Sequence, residues 1–88
     1  MKKIKDLSGH FIKLKINWVV YDLKMTFYHD VNGKIVNKDS VFFILSKSDK
    51  TCPYGGYEVY VAIDSNLEKK AILMDMRNKN YTQIIEIL

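Results

Sequence analysis

The chain predicts a β-rich domain, all-β or β-rich α+β, built as a single small antiparallel curved sheet or barrel of six to seven strands. One short helix at 66–76 is the alternative to a strand there. Three observations carry the prediction. Ten Ile, seven Val, three Thr and eleven aromatic residues make 31 of 88 positions β-branched or aromatic, the side chains that suit a pleated, half-buried surface. Helix formers are scarce, with Ala at only two positions and Glu at only three. Finally, apolar residues recur with period two in short segments separated by turn-prone residues, the pattern of sequential hairpins. The arrangement is comparable in kind to SH3-like or OB-like architectures, an analogy of fold that does not decide function.

The first strand begins at His10. Ile12, Leu14, Ile16 and Trp18 share one parity and Phe11, Lys13, Lys15 and Asn17 the other, as in a strand with one buried face. After Trp18 the phase changes, with Tyr21, Leu23, Met25 and Phe27 becoming the apolar set. A single strand from His10 to Val31 would run about 70 Å, too long for a small domain, so a bulge or corner is expected at residues 17–21. Asp30-Val31-Asn32-Gly33-Lys34 reads as a tight hairpin. With Gly33 left-handed in a three-residue loop, Asp30 faces Lys34 and His29 faces Ile35, whereas two-residue pairing would set Val31 against Lys34.

Val41-Phe42-Phe43-Ile44-Leu45 shows no alternation, which predicts a central strand covered on both faces. Ser46 to Gly56 reads as a long loop. In the next strand Tyr57, Val59, Val61 and Ile63 form the expected apolar face and Glu58, Tyr60, Ala62 and Asp64 the polar one. Ser65-Asn66-Leu67-Glu68 has the form of a capping box opening a helix, but Ala71-Ile72-Leu73-Met74 ahead of Arg77-Asn78-Lys79-Asn80 reads better as a strand entering a hairpin whose second arm is Tyr81 to Leu88.

Length predicts a single domain over residues 1–88. The longest apolar run is far below the roughly 20 residues of a membrane-crossing helix, and the lysine-rich start returns to charge at once instead of continuing as an export signal. A lone cysteine excludes an internal disulfide. The expected location is cytoplasmic, with no membrane partner. Thirteen of the fourteen basic residues are lysine, which disfavours base reading by arginine forks, and residues 1–15 carry five lysines against Asp6 while the rest of the chain is balanced.

Catalytic patterns are weak. Cys52 as a nucleophile requires His10 or His29 as its base, and nothing in the spacing pairs them. The same three residues lack metal-ligand spacing, and Gly55-Gly56 lacks the lysine and helix of a phosphate loop. Asp22, Glu58 and Asp64 do not pair as acid and base. No enzyme activity, metal or cofactor is therefore expected.

The functional expectation is a small non-catalytic domain, of inhibitor or accessory-factor type, that docks on a protein partner. Tyr54, Tyr57 and Tyr60 with Lys47 and Lys50 are its candidate contacts, because tyrosine and glycine together supply rigid aromatic anchors. For Tyr60 two outcomes stand: exposure on the polar parity, or packing beneath the N-terminal segment or a helix. The alternative function is nucleic-acid binding through a lysine and aromatic face of Lys13, Lys15, Lys24 and Tyr28 with Phe11. The apolar end Ile84, Ile85, Ile87 and Leu88 predicts a strand buried in the sheet or paired with another chain, with a homodimer as one form.

Overall fold

The computed structural model describes residues 6–23, 33–51, 57–76 and 81–88, with 49–51 described by backbone alone. Seven strands, β1 (Phe11–Leu14), β2 (Trp18–Tyr21), β3 (Lys34–Val36), β4 (Val41–Thr51), β5 (Glu58–Ile63), β6 (Lys69–Met74) and β7 (Ile85–Ile87), form one sheet, and a single helical turn α1 (Tyr81–Ile84) precedes β7. The order is β3-β2-β6-β5-β4-β1-β7, every pair is antiparallel, and the sheet does not close into a barrel.

Strong curvature follows from chain connectivity. Leu14 and Trp18 are four residues apart, a reach of about 14 Å at most. In a flat sheet β1 and β2 would lie four strand spacings apart, about 19 Å. The sheet therefore curls, and the chain turns from one end of it to the other at a corner over residues 15–17, slightly ahead of the expected position. Hydrogen bonds fix this corner: the Lys38 N–H donates to Asn17 Oδ1 at 2.7 Å, the Asp39 N–H to the Leu14 carbonyl at 2.9 Å, and the Lys15 N–H to the Ile84 carbonyl at 2.7 Å.

The inner face of the curl holds the main core. Ile12 and Leu14 from β1, Val20 from β2, Phe42 and Ile44 from β4, Tyr60 and Ala62 from β5, and Ile72 and Met74 from β6 meet there, with Leu7, Met76, Tyr81, Ile84 and Ile85 covering its ends. On the opposite, outer face a smaller cluster of Tyr21, Val59, Ala71 and Leu73 is also buried. The Trp18 indole N–H donates to the Leu73 carbonyl at 3.1 Å, tying the corner to β6.

Several expectations are corrected. Val41 to Leu45 is not covered on both faces: Phe42 and Ile44 point inward, while on the outer side Phe43 is only half-buried and Val41 is 40% and Leu45 37% exposed. The loop expected to begin at Ser46 is strand through Thr51, interrupted by register shifts between Ile44 and Ser46 and between Lys47 and Thr51. In β5 the main core takes Tyr60 and Ala62, the parity expected to be polar, and Val59 of the expected apolar parity is buried in the outer cluster, because the sheet packs apolar side chains on both faces at this strand. Ile16 is exposed, since the corner carries it out of the strand.

Residues 66–76 form a hairpin turn and β6, not a helix. The Leu67 N–H bonds the Asp64 carbonyl, Asp64 Oδ1 accepts the Asn66 and Glu68 N–H groups, and Leu67 takes a left-handed φ of 63°, closing a three-residue loop. The expected final hairpin with β6 is also overturned: Tyr81–Ile84 is helical, and β7 crosses to pair with β1, with Ile12 opposite Ile87 and Leu14 opposite Ile85. This crossover lets Tyr81, Ile84 and Ile85 close the core's end. Residues 77–80 lie outside the described residues. So do His29 and Asp30; the described pairings set Lys34 opposite Val20 and Ile35 opposite Val19. A side chain at Gly33 would collide with Val19 and Tyr21, so glycine is required there by close approach.

Candidate functional site

The residues singled out by sequence do not assemble into one surface. Tyr60 is fully buried, and its second expected outcome holds: it packs beneath the N-terminal segment, where the Leu7 backbone N–H and the Glu58 carboxylate both meet its hydroxyl. Lys47 sits on β4 opposite Tyr60, not in a loop. Leu45 is the extra residue of the bulge after Ile44, which resets the parity so that Lys47 turns to the inner side. There Lys47 Nζ meets Glu58 Oε1 at 2.8 Å while the Tyr60 hydroxyl donates to Glu58 Oε2 at 2.9 Å. Tyr57 is 38% exposed just before β5. Lys50 belongs to β4, and Tyr54 lies outside the described residues. The tyrosine surface expected around residues 47–60 is thus corrected at Tyr60 and Lys47, both of which join a structural network.

Burial and the bond to Glu58 raise the pKa of Tyr60 well above the usual phenol range. The Glu58 carboxylate raises that of Lys47. Asp6 is held below the usual carboxylate range by the Ser8 hydroxyl and N–H at 2.6 and 2.8 Å. These three groups gather at one end of the inner face and hold Leu7 in place. The Lys47 and Asp6 shifts follow chiefly from internal hydrogen bonds and that of Tyr60 chiefly from burial.

Of the alternative residues, Lys13 points outward from β1 with its ammonium 3.9 Å from Asp39, and Lys15 donates to the Thr82 carbonyl at 2.7 Å. Lys24 and Tyr28 lie outside the described residues, as do His29 and Cys52. Among the described residues no polar or charged residue is buried and no three His, Cys, Asp or Glu side chains converge. No described helix is long and apolar enough to cross a membrane.

Among the described residues, exposed apolar side chains gather on one half of the outer face, with Ile35 of β3 exposed apart from them. Over β2, β6 and β5 that face is buried, in the Tyr21, Val59, Ala71 and Leu73 cluster. Over β7, β1 and β4 it is open. Phe11 stands opposite Phe43, Phe43 opposite Ile63, and Ile63 opposite Lys69, while the Leu88 N–H bonds the Phe11 carbonyl. Leu88, Phe11, Phe43 and Ile63 therefore form one continuous row across four strands, ending at Lys69. Leu88 is 62% and Phe11 54% exposed, and the Phe11 and Phe43 rings lie 4.8 Å apart at 57°. Val41 and Leu45 flank the row.

Leu88, Phe11, Val41 and Leu45 make the open patch a contiguous group of exposed apolar side chains, and such patches are often functional. Phe11 alone leaves about 100 Å² exposed, about 2.5 kcal/mol of burial not realised within the chain. Lys13 and Glu86, opposite one another on β1 and β7, rim it. Sequence reasoning missed most of this surface because the run from Val41 to Leu45 shows no alternation. The available signal was Phe11, an aromatic residue on the lysine parity of β1. A second feature is a cavity of about 390 Å³ at the strand ends, with Val20, Val36 and Phe42 as its apolar floor and Lys34, Glu68 and Lys70 at its rim. Compared with protein-family models, curated proteins and solved structures, the chain matches none.

Proposed function

We propose that this protein acts by contact, as a small non-catalytic domain of the cytoplasm that docks a protein surface onto the open half of its outer face. The observation that supports this is the continuous apolar row Leu88, Phe11, Phe43 and Ile63, in which Leu88 and Phe11 are exposed and Phe43 and Ile63 half-buried, with exposed Val41 and Leu45 beside it. A central apolar patch with charge at its rim is the usual anatomy of a protein contact, and aromatic side chains near the centre of such a patch supply most of its energy. Phe11 and Phe43 take that position, with Lys13 and Glu86 at the rim.

A second reading has its own observation. Two adjacent phenylalanine rings, exposed Phe11 and half-buried Phe43, with Lys13 and Lys69 on the same face are the elements of a stacking platform for single-stranded nucleic acid. Affinity capture from host lysate separates the two, run with and without nuclease and with Phe11→Ser alongside the parent chain. A protein retained after nuclease and lost in Phe11→Ser supports docking. A nucleic acid as the sole Phe11-dependent companion, released by salt, supports the second reading. Companions indifferent to Phe11 refute both.

A further inference from the structure

We infer that the open half of the outer face is the interface of a symmetric homodimer, with a second copy of this chain as its occupant. The inference rests on the proposed reading of that face as a contact surface and names what covers it. The order of side chains along the row carries the argument. From β7 through β1 and β4 to β5 the row runs aliphatic, aromatic, aromatic, aliphatic, as Leu88, Phe11, Phe43 and Ile63. It therefore reads the same in both directions.

A two-fold axis lying in the interface and running along the strands between β1 and β4 sets each aromatic ring on an aromatic ring and each aliphatic side chain on an aliphatic one. That is the self-complementarity an isologous contact requires. In the neighbouring row the same axis sets Lys13 over Val41 of the second copy, so the lysine stem adds apolar contact while its ammonium reaches the rim. No like charges face one another directly across the axis in either row. Because the outer face is the convex side of the curl, the contact centres on the two aromatic pairs, Phe11 of each copy on Phe43 of the other, with Leu88 and Ile63 at its margin.

The area sets the strength. A contact centred on the Phe11 and Phe43 pairs is smaller than the roughly 1,200 Å² at the lower end of standard specific interfaces, the range of weak, transient association. Such a dimer is reversible, and its population rises with protein concentration.

Sedimentation equilibrium of the full chain across a wide concentration range tests this, with disulfide trapping as an independent measurement. In a Cys52→Ala background, Phe11→Cys protein is mixed with Phe43→Cys protein under mild oxidation. The expected results are a mass rising to that of a dimer, a shift of at least tenfold toward monomer in Phe11→Lys, and a mixed disulfide forming faster than either self-disulfide. Phe11 is exposed, so Phe11→Lys keeps the fold, and the trapping experiment does not depend on it.

A strictly monomeric mass at every concentration overturns the inference. If a lysate protein is still captured in a Phe11-dependent manner, the contact reading survives without the dimer; if none is, both fail. A dimer that persists in Phe11→Lys and yields no mixed disulfide uses another surface, which also overturns it. So does a monomer that binds a labelled single-stranded oligonucleotide through Phe11.

Discussion

Leu67 occupies the left-handed position of the β5 to β6 turn with a φ of 63° and is 83% exposed. A leucine held there costs about 1–2 kcal/mol from the approach of Cβ to the following carbonyl. Because the side chain buries almost nothing, its removal sacrifices little packing. Leu67→Gly relieves the strain but frees the unfolded chain, a loss of about 0.5–1 kcal/mol. The expected net effect is a stabilisation of about 0.5–1 kcal/mol, or an increase in Tm of about 2–8 °C for a chain of this size. Leu67→Asn, which tolerates the same region with less unfolded-state freedom, should gain a similar amount, and Leu67→Val should lose stability because its branched Cβ clashes further. Gly9, at a φ of 82° with nothing near its missing Cβ, is the converse case, and Gly9→Ala should cost about 1 kcal/mol. Thermal melts and urea titrations of the four variants measure the set. Destabilisation by Leu67→Gly together with no loss in Gly9→Ala would refute the turn geometry and the strain argument built on it.

Further outcomes follow from the core and the inner network. Tyr60→Phe removes a hydroxyl bonded to a carboxylate and should cost about 1–2 kcal/mol at neutral pH in urea unfolding. Since folding raises the Tyr60 pKa, its neutral form is the one the fold favours: the associated stability is intact below the ordinary phenol range near 10 and is lost as pH rises from there toward the folded value. The difference between the parent chain and Tyr60→Phe should therefore shrink above about pH 10, and a constant difference would mean that the hydroxyl is not buried. Gly33→Ala, which drives a methyl group into Val19 and Tyr21, should destabilise by about 1–3 kcal/mol, and a neutral result would place Gly33 elsewhere. Ile44→Ala, at a fully buried position, should cost about 2–5 kcal/mol, while Phe11→Ser should cost no more than about 1.5 kcal/mol. Equal losses would show that Phe11 is covered.

Local chemistry carried much of the fold. The alternation of Ile12 and Leu14 with Phe11 and Lys13 set the inner and outer faces of β1. The phase change after Trp18 announced the corner, and the strand reading of residues 71–74 held against the helix. Faces failed wherever a bulge or the curl intervened. A single extra residue at Leu45 exchanges the two sides of a strand, which is how Lys47 leaves the expected loop surface and reaches Glu58. Tyr60 carries a polar atom that sequence parity counts against burial, yet Glu58 and the Leu7 N–H satisfy it at the inner face. Among the candidate contacts whose side chains are described, Lys13 and Phe11, both weighed for nucleic acid, lie at the open half of the outer face.

The sequence by itself determined that this chain is β-rich, that it is built from antiparallel strands, and that a corner follows the first of them, because those follow from side-chain period and backbone preference within a few residues. Tertiary structure alone decided that β7 pairs with β1 instead of β6, that β4 has one bare side, and that Leu88, Phe11, Phe43 and Ile63 share a row. These depend on strand order and register between segments up to 77 residues apart in the chain, from Phe11 to Leu88, and no local pattern encodes which distant strand supplies a neighbour. The candidate contact surface belongs to that second class. It exists because a curled sheet has an inner face large enough to gather the core and an outer face that the described chain covers only over β2, β6 and β5.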